Sequence, residues 1–356
     1  MNVNNLEDTE KMIKRVTHIT LPLIIVLILI GTPAASRIRT VTADDGNLLL
    51  NGDFEGVFLA YPHGPSGWDY VAEHWSRWWI HGTSVPEYTD ALWGRTPYEG
   101  ERAQIYHAFP NYTAGIFQII EDLTACRPYR LSAFTKTNAG AGTTAHSRIG
   151  LDPYGTNFTD DGAVKNGLPP ETIWSTTQTS LGIWEELSVK AEPSGDRLAA
   201  IFYAAPRPNP FYETYWDTAS LVPASYDNGR LPEPSVLSDF IYNVGVITGT
   251  ERITITWHTT EPASASQVWY NVKTSSPSLT STETMTHTSY LPLIQRDSEP
   301  YPFATGISFM RATEHHALIN SLDPGQQVKF IITARRLNGD ICETVRSEAR
   351  VARTKP

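Results

Sequence analysis

The segment "YRLSAFTK", residues 129–136, alternates between two sets of side chains at every step. On an extended chain one face carries Tyr129, Leu131 and Ala133, and the other carries Arg130, Ser132, Phe134 and Lys136. The same period of two recurs in "HSRIGLD" (146–152), "RLAAIFYAA" (197–205) and "ERITITW" (251–257), with Gly, Pro, Asn and Asp clusters between the runs. Alternating runs separated by turn residues are typical of antiparallel sheets. We therefore predict an all-β protein built from packed sheets.

The chain of 356 residues is long enough for two domains. "VPASYDNGRLPEPS" (222–235) is rich in Pro, Ser and Gly and has no apolar period, which is typical of a linker. We place the linker at 224–235, between a first domain at 46–223 and a second at 236–356. A Ser- and Thr-rich stretch interrupts the second domain at 274–302, and we interpret it as a long, partly ordered insertion.

The N-terminal residues have the pattern of a targeting segment. Lys11, Lys14 and Arg15 precede the apolar run "LPLIIVLILI" (21–30), and small residues follow in "TPAAS" (32–36). This order predicts a signal peptide over 1–36, cleaved after Ser36. The 21 uncharged residues at 16–36 leave a single uncleaved anchor as the alternative. Either way we expect an exported protein, secreted or at the cell surface, with membrane contact only through an uncleaved segment.

The charge is divided unevenly between the two domains. Residues 44–223 carry 11 Lys and Arg against 22 Asp and Glu, a net charge of −11, whereas residues 236–356 carry 11 of each. A strongly acidic domain disfavours nucleic acid and anionic membranes as partners. Neutral ligands, or cations held by carboxylates, suit it better.

The chain has two cysteines, one in each predicted domain. One cysteine per domain is not a disulfide framework, although an oxidising compartment permits a bond between them. We expect Cys126 and Cys342 to be separate small apolar residues. Their spacing matches no zinc or redox motif.

The first domain carries an ordered set of motifs. "NLLLNGDFEG" (47–56) opens it, "AGIFQIIEDLTACRPYRLSAF" (114–134) lies within it, and "YWDTASLV" (215–222) closes it. This series resembles the CenC-like carbohydrate-binding modules, which have a galactose-binding-like jelly-roll fold. The resemblance implies a jelly roll over 46–223 and a polysaccharide or cell-surface glycan as the ligand.

Modules of this kind often hold a structural calcium ion. The matching positions are Glu55 in "GDFEG" and Asp217 in "YWDTASL", while Thr218 stands where the family often has a second acidic residue. Calcium prefers six to eight oxygen ligands, so a carboxylate from each end of the domain could share one ion. The alternative is an acidic strand end whose carboxylates bind backbone N–H groups.

"EHWSRWWIHG" (73–82) places three tryptophans within five positions. Trp75 matches a core tryptophan of the similar modules. If the segment is a strand, Trp79 points inward with it and Trp78 points outward. The candidate ligand-binding residues are the rings of Trp78, Trp93, Tyr106 and Tyr203, with Gln104, Arg148 and Asp152 as polar partners. For each of them a structural role is the alternative.

"ERITITWHTTEPASASQVWYNV" (251–272) and the segment that ends at Asn338-Gly339 resemble a fibronectin type III domain, especially the kind that precedes the catalytic domain of purple acid phosphatases. The resemblance implies that Trp257 is buried. Val328 stands where the family usually has a tyrosine at the corner of the sandwich. Asn338-Gly339 predicts a two-residue hairpin.

No catalytic motif accompanies these features. The adjacent rings of His315 and His316 would point to opposite faces of a strand, and the sequence has no Gly-x-Ser-x-Gly elbow, His-Glu-x-x-His motif or phosphate loop. We therefore expect a non-catalytic protein in which the first domain binds a neutral polysaccharide and the second is a spacer. The alternatives are a structural or adhesion protein that binds no sugar, and a glycan-active hydrolase.

Overall fold

The computed structural model describes residues 46–63, 67–81, 83–90, 95–109, 111–140, 142–164, 166–207, 212–234, 236–273, 301–309 and 312–356. Regular structure in these residues is almost entirely β, as predicted, and its short helical segments include one turn at Asp227–Gly229. The strands up to residue 223 are β1 Phe58–His63, β2 Gly67–Ala72, β3 Ser76–Ile80, β4 Glu87–Asp90, β5 Gln104–Ala108, β6 Ala114–Ile120, β7 Tyr129–Ala139, β8 Ser147–Asp152, β9 Ala163–Val164, β10 Ile173–Trp174, β11 Glu185–Ala191, β12 Leu198–Ala204 and β13 Tyr212–Pro223.

These strands form a sandwich of two sheets with a separate hairpin. One sheet has six strands in the order β10-β8-β12-β6-β3-β9, the other has five in the order β11-β7-β13-β5-β4, and β1 pairs with β2 alone. The inward faces of both sheets supply one apolar core, in which Trp75 and Trp216 contact Phe202 with ring centres 4.9 and 4.8 Å apart. Because inward and outward residues alternate along β7, the alternation in "YRLSAFTK" corresponds to a core face and an outer face.

A second apolar cluster lies on the outer face of the six-stranded sheet. It contains Trp78, Phe117, Val164, Ala199 and Ile201, with Phe158, Leu168, Trp174 and Tyr203 packed around it. As predicted, Trp75 and Trp79 pack against the main core, and Trp78 points to the other face. Although Trp78 is a candidate ligand-binding residue, residues from the 153–174 segment cover that face and leave its ring fully buried.

The second sandwich begins after residue 235. Its strands are β14 Val236–Leu237, β15 Ile241–Thr248, β16 Ile253–Ala263, β17 Ala265–Lys273, β18 Phe303–Ala304, β19 Ala312–Ile319, β20 Gln327–Asn338, β21 Ile341–Arg346 and β22 Arg350–Arg353. One sheet has the order β15-β16-β19, and the other has the order β14-β21-β20-β17-β18, with β22 also paired to β20. Both sheets contribute to one core that buries Trp257 and Val328.

The hairpin predicted at Asn338-Gly339 forms between β20 and β21. Asn338 pairs with Ile341, so the two loop residues are Gly339 and Asp340, one position later than the dipeptide suggested. Gly339 has a φ of 62°, a left-handed conformation that glycine adopts without steric cost.

Covalent and polar contacts join the two sandwiches, which lie within one compact unit, Asp45–Pro356. Cys126 and Cys342 form a disulfide, so the expectation of two separate cysteines is wrong. The guanidinium of Arg335 donates to Glu192 across the same junction, at 2.6 Å from Nη2 to Oε2. Within the predicted linker, Tyr226 and Leu231 are buried, and the Tyr226 hydroxyl donates to the Cys126 carbonyl.

Some sequence predictions concern residues outside the described part of the chain. These are the signal peptide at 1–36, Trp93, and the insertion at 274–302 apart from its last two residues. Among the described residues, no helix has the length and apolar character that a bilayer crossing requires.

Candidate functional site

The outer face of the five-stranded sheet carries a row of polar side chains next to a row that contains aromatic side chains. Side chains of directly paired residues lie side by side, because neighbouring strands are about 4.8 Å apart. One row across β4, β5, β13 and β7 is polar and consists of Glu87, His107, Glu213 and Asn138. The next row contains Ile105, Tyr215 and Lys136, and Phe134 follows two residues further along β7.

Four rings gather beside the polar row: those of Tyr98, Phe134, Trp184 and Tyr215. We call them, together with Lys136, the aromatic face. The ring of Tyr98 stacks on Phe134 with centres 3.8 Å apart, and Trp184 meets Tyr98 at 5.7 Å and Tyr215 at 6.0 Å, both edge to face. Tyr215 is buried, Phe134 and Trp184 are half-buried, and Tyr98 is 44% exposed. The face therefore presents ring surface to solvent over a packed base.

Lys136 lies across the aromatic face. Its ammonium is 4.8 Å from the ring centre of Trp184 and 4.5 Å from that of Tyr215, and it donates to the Thr96 carbonyl. Burial lowers the pKa of Lys136, and the nearby Glu213 charge offsets part of that effect. A cation over two rings is held by their electron-rich faces, and its remaining N–H groups can donate to a ligand.

Glu213 is the central acid of the polar row. Arg95 donates to its Oε1 through Nε and Nη2 at 3.1 and 2.9 Å, and the Tyr215 hydroxyl donates to its Oε2 at 2.7 Å. Burial raises the pKa of Glu213, but the hydrogen bonds from Tyr215 and Arg95 outweigh it and hold the pKa below its usual range. Glu213 is therefore a carboxylate that orients its neighbours and accepts hydrogen bonds.

The two predicted calcium ligands hold the loop that carries Tyr98. Asp217 Oδ2 accepts the N–H groups of Tyr98 and Glu99 at 2.7 and 3.1 Å. Glu55 Oε1 accepts those of Glu101 and Arg102 at 2.9 and 3.0 Å. Burial raises the pKa of Asp217 to about 6, although these N–H groups oppose the shift. The backbone-binding alternative for Glu55 and Asp217 is thus what the structure contains.

The partners of Glu55 and Asp217 in this structure are backbone N–H groups. The described residues gather no group of three or more acidic, histidine or cysteine side chains able to hold a metal. Glu55 Oε1 and Asp217 Oδ2 already accept backbone N–H groups. Calcium binding at these residues remains a prediction.

Three of the predicted ligand-binding residues have structural roles. The Gln104 amide is buried, accepts the Ala72 N–H and donates to three carbonyls, including that of Tyr70. Tyr106 is buried in the main core. Asp152 is buried at the end of β8, where it accepts the N–H groups of Tyr154 and Thr156. Gln104 and Tyr106 point inward and are enclosed by the opposite sheet, whereas Asp152 lies on the outer face with Arg148 and is enclosed by the turn whose N–H groups it accepts.

Three others come together on the six-stranded sheet. The ring centres of Trp78 and Tyr203 are 5.8 Å apart, and the Arg148 guanidinium lies 4.6 Å from the Tyr203 ring. Tyr203 and Arg148 are half-buried, whereas Trp78 lies below the surface. Trp93 is outside the described residues, two positions before Arg95 in sequence.

The sequence patterns do not predict the aromatic face. Phe134 and Lys136 lie on the polar face of "YRLSAFTK", and an aromatic ring among polar residues is the available sequence signal. In "YETYWD" (212–217), the same alternation places Glu213, Tyr215 and Asp217 outward. Trp184 and Tyr98 lie outside the strands, so no period could assign them to this surface.

Comparison with known proteins found structural neighbours only. Neither the family models nor the curated proteins gave a match. A family 61 carbohydrate-binding module solved with β-1,4-galactotriose is 16% identical, covering 50% of this chain and 99% of its own, with a TM-score of 0.33. The C-terminal family 22 carbohydrate-binding module of Clostridium thermocellum Xyn10B is 16% identical, covering 51% and 97%, with a TM-score of 0.31.

A third neighbour is the glycoside hydrolase domain of Endo-D from Streptococcus pneumoniae. It is 12% identical and covers 79% of this chain and 37% of its own, with a TM-score of 0.26. The first two neighbours are carbohydrate-binding modules and the third is part of an enzyme. At these identities and TM-scores the likeness carries no functional argument, so function has to be inferred from the geometry of the site.

Proposed function

We propose that this protein is an exported, non-catalytic glycan-binding protein that holds a neutral polysaccharide on the aromatic face of its first sandwich. The observation that carries the proposal is the gathering of Tyr98, Phe134 and Trp184 over Tyr215, beside a row of polar side chains. Sugar rings present apolar C–H faces and a rim of hydroxyls. Aromatic surface with a few placed polar groups is complementary to both.

The charges of the site favour a neutral ligand. Arg95 and Glu213 pair with each other, and His107 lies 3.1 Å from Glu87, so the polar row offers hydrogen bonds more than net charge. The first domain as a whole has a net charge of −11 over residues 44–223, which repels polyanions. We therefore expect binding to change little with salt.

The electrostatics of Glu213 support binding over hydrolysis. A glycosidase needs one carboxyl group whose pKa is raised so that it can protonate the leaving oxygen. The pKa of Glu213 is held below its usual range by Tyr215 and Arg95, which keeps it ionised. The other acid of the row, Glu87, is largely exposed beside His107. Burial raises the pKa of Asp217 on the same face to about 6, but both of its oxygens accept backbone N–H groups.

The second sandwich is proposed to be a fibronectin type III-like spacer. A three-stranded sheet packs on a larger one around the buried Trp257, which supports this assignment. Export is supported by the Cys126–Cys342 disulfide, because disulfides persist mainly in oxidising compartments. The signal segment at 1–36 remains the sequence argument for the same conclusion.

Affinity electrophoresis tests the proposal. The protein is run through gels that contain neutral xylan, galactan or glucan, at low and high salt. We expect at least one polysaccharide to retard it, and Trp184→Ala to weaken binding roughly 30-fold, as loss of a central aromatic contact of about 2 kcal/mol does. Trp68→Ala is the matched control, since Trp68 is 61% exposed on the β1–β2 hairpin, outside the aromatic face.

The alternatives have their own outcomes in this experiment. If no polysaccharide retards the protein, or if Trp184→Ala migrates like the parent, the glycan-binding proposal fails and a structural or adhesion role replaces it. Release of reducing ends from a retarding polysaccharide would instead indicate a hydrolase.

A further inference from the structure

A stacked arginine lies on the outer face of the six-stranded sheet, away from the aromatic face. Arg148 on β8 pairs with Tyr203 on β12, and Trp174 on β10 pairs with Gly150 of β8. The guanidinium carbon is 4.1 Å from the ring centre of Trp174 and 4.6 Å from that of Tyr203. The guanidinium is therefore in contact with two rings.

The backbone fixes this geometry. A Cβ at position 150 would come within 2.6 Å of the Trp174 ring, so glycine there lets the indole lie close against the strand. Tyr203 is in turn packed against Trp78, which is fully buried in the cluster below. Arg148 is thus held between rings that are themselves held by the sheet.

The hydrogen-bond donors of Arg148 are unused. Within the described part of the chain its guanidinium makes no hydrogen bond and no ion pair, and its Nε is buried without a partner. Other arginines of the same sandwich are paired, Arg77 with Asp69 and Arg95 with Glu213. A guanidinium has five N–H groups in a planar fork, and a carboxylate is the acceptor that matches this fork in two parallel hydrogen bonds.

We propose that Arg148, Trp174 and Tyr203 form a second glycan site, which binds a sugar that carries a carboxylate, a uronic acid residue. The guanidinium binds the carboxylate, and the half-buried rings beside it contact the apolar face of the pyranose. The attraction for the carboxylate comes from Arg148 itself, because the net charge of the domain around it is negative. This site does not depend on the aromatic face, which is on the other sheet.

Isothermal titration calorimetry with matched oligosaccharides tests the site. The probes are a neutral oligosaccharide that carries a single uronic acid residue and the same oligosaccharide after chemical reduction of that carboxyl group, so that only one carboxylate differs. We expect the unreduced probe to bind roughly tenfold or more tightly than the reduced one at this site. Arg148→Met should lose that preference, because the thioether carries no charge and no N–H group that could donate to the carboxylate.

Trp184→Ala is the control on the other sheet and should keep the preference. The proposal is overturned if the wild-type protein binds both probes equally, a comparison that needs no variant. It is also overturned if Arg148→Met keeps the preference, or if Trp184→Ala rather than Arg148→Met removes it. Trp184→Ala changes only the aromatic face and Arg148→Met changes only the second site, so failure at one site is distinguishable from failure at the other.

Discussion

Among single residues, Trp78 shows that the tryptophan cluster at 75–79 has a structural role, because its ring is buried. Its indole N–H donates to the Ile116 carbonyl at 3.3 Å, and its ring contacts Phe158 and Tyr203. Strand parity predicts that Trp78 points away from the main core. It does not predict that a distant segment covers the ring, because residues 153–172 show no apolar period. The alternation along the strand therefore determines which way the Trp78 side chain points, and the segment that covers it determines how exposed it is.

We expect Trp78→Ala to destabilise the protein by about 3–5 kcal/mol, as truncation of a buried tryptophan does. In a domain of this size that loss lowers the unfolding midpoint by roughly 6–20 °C, which thermal unfolding followed by circular dichroism measures. The exposed Trp68→Ala is the matched control and should change stability by less than about 0.5 kcal/mol. Equal midpoints for the two variants would contradict the burial of Trp78.

At the scale of elements, the loop at 98–102 links the predicted metal ligands to the candidate site. Asp217 and Glu55 each bind two of its N–H groups, and Tyr98 at its start stacks on Phe134. The motifs "GDFEG" and "YWDTASL" identified both carboxylates from sequence. Their partners are backbone groups in a loop far away in the chain, and no sequence pattern indicates such contacts.

Asp217→Ala should lower the unfolding midpoint and weaken glycan binding together, because the loop loses two hydrogen bonds and Tyr98 loses its anchor. Differential scanning calorimetry and affinity electrophoresis on the same variant measure the two effects. An unchanged affinity would contradict the link between the loop and the site.

The calcium prediction is tested in the same calorimeter. We expect chelator to lower the unfolding midpoint of the wild-type protein and added calcium to restore it, with no response from Asp217→Ala.

In the molecule as a whole, a disulfide and an ion pair link the two sandwiches at one junction. The Cys126–Cys342 disulfide connects residues 216 positions apart, and the Glu192–Arg335 ion pair lies beside it. The sequence predicts two sandwiches because strand periods and turn signals are local. It does not predict the pairing of two cysteines in different domains, because that depends on how the domains pack. The disulfide and the ion pair therefore link the second sandwich to the first.

Removing the disulfide should cost about 2–4 kcal/mol, mainly by freeing the unfolded chain. We expect Cys126→Ser, Cys342→Ser and the double variant to unfold at the same lower midpoint, since each change breaks the same bond. Reductant should shift the wild-type midpoint to that value and leave the variants unchanged. If thiol titration shows that the disulfide is reduced and the wild-type unfolding midpoint does not change, the disulfide does not stabilise the protein.

A neutral glycan bound to the aromatic face should lie over Trp184. The most direct measurement is a nuclear magnetic resonance titration of the tryptophan indole N–H signals with neutral xylo-, galacto- and gluco-oligosaccharides, with the Trp184 signal assigned from Trp184→Phe. We predict that a saturating oligosaccharide shifts the Trp184 indole signal and leaves that of the buried Trp257 in the second sandwich unchanged. An oligosaccharide that saturates the protein without shifting the Trp184 signal would contradict glycan binding at the aromatic face. The absence of binding by all three oligosaccharides would contradict it as well.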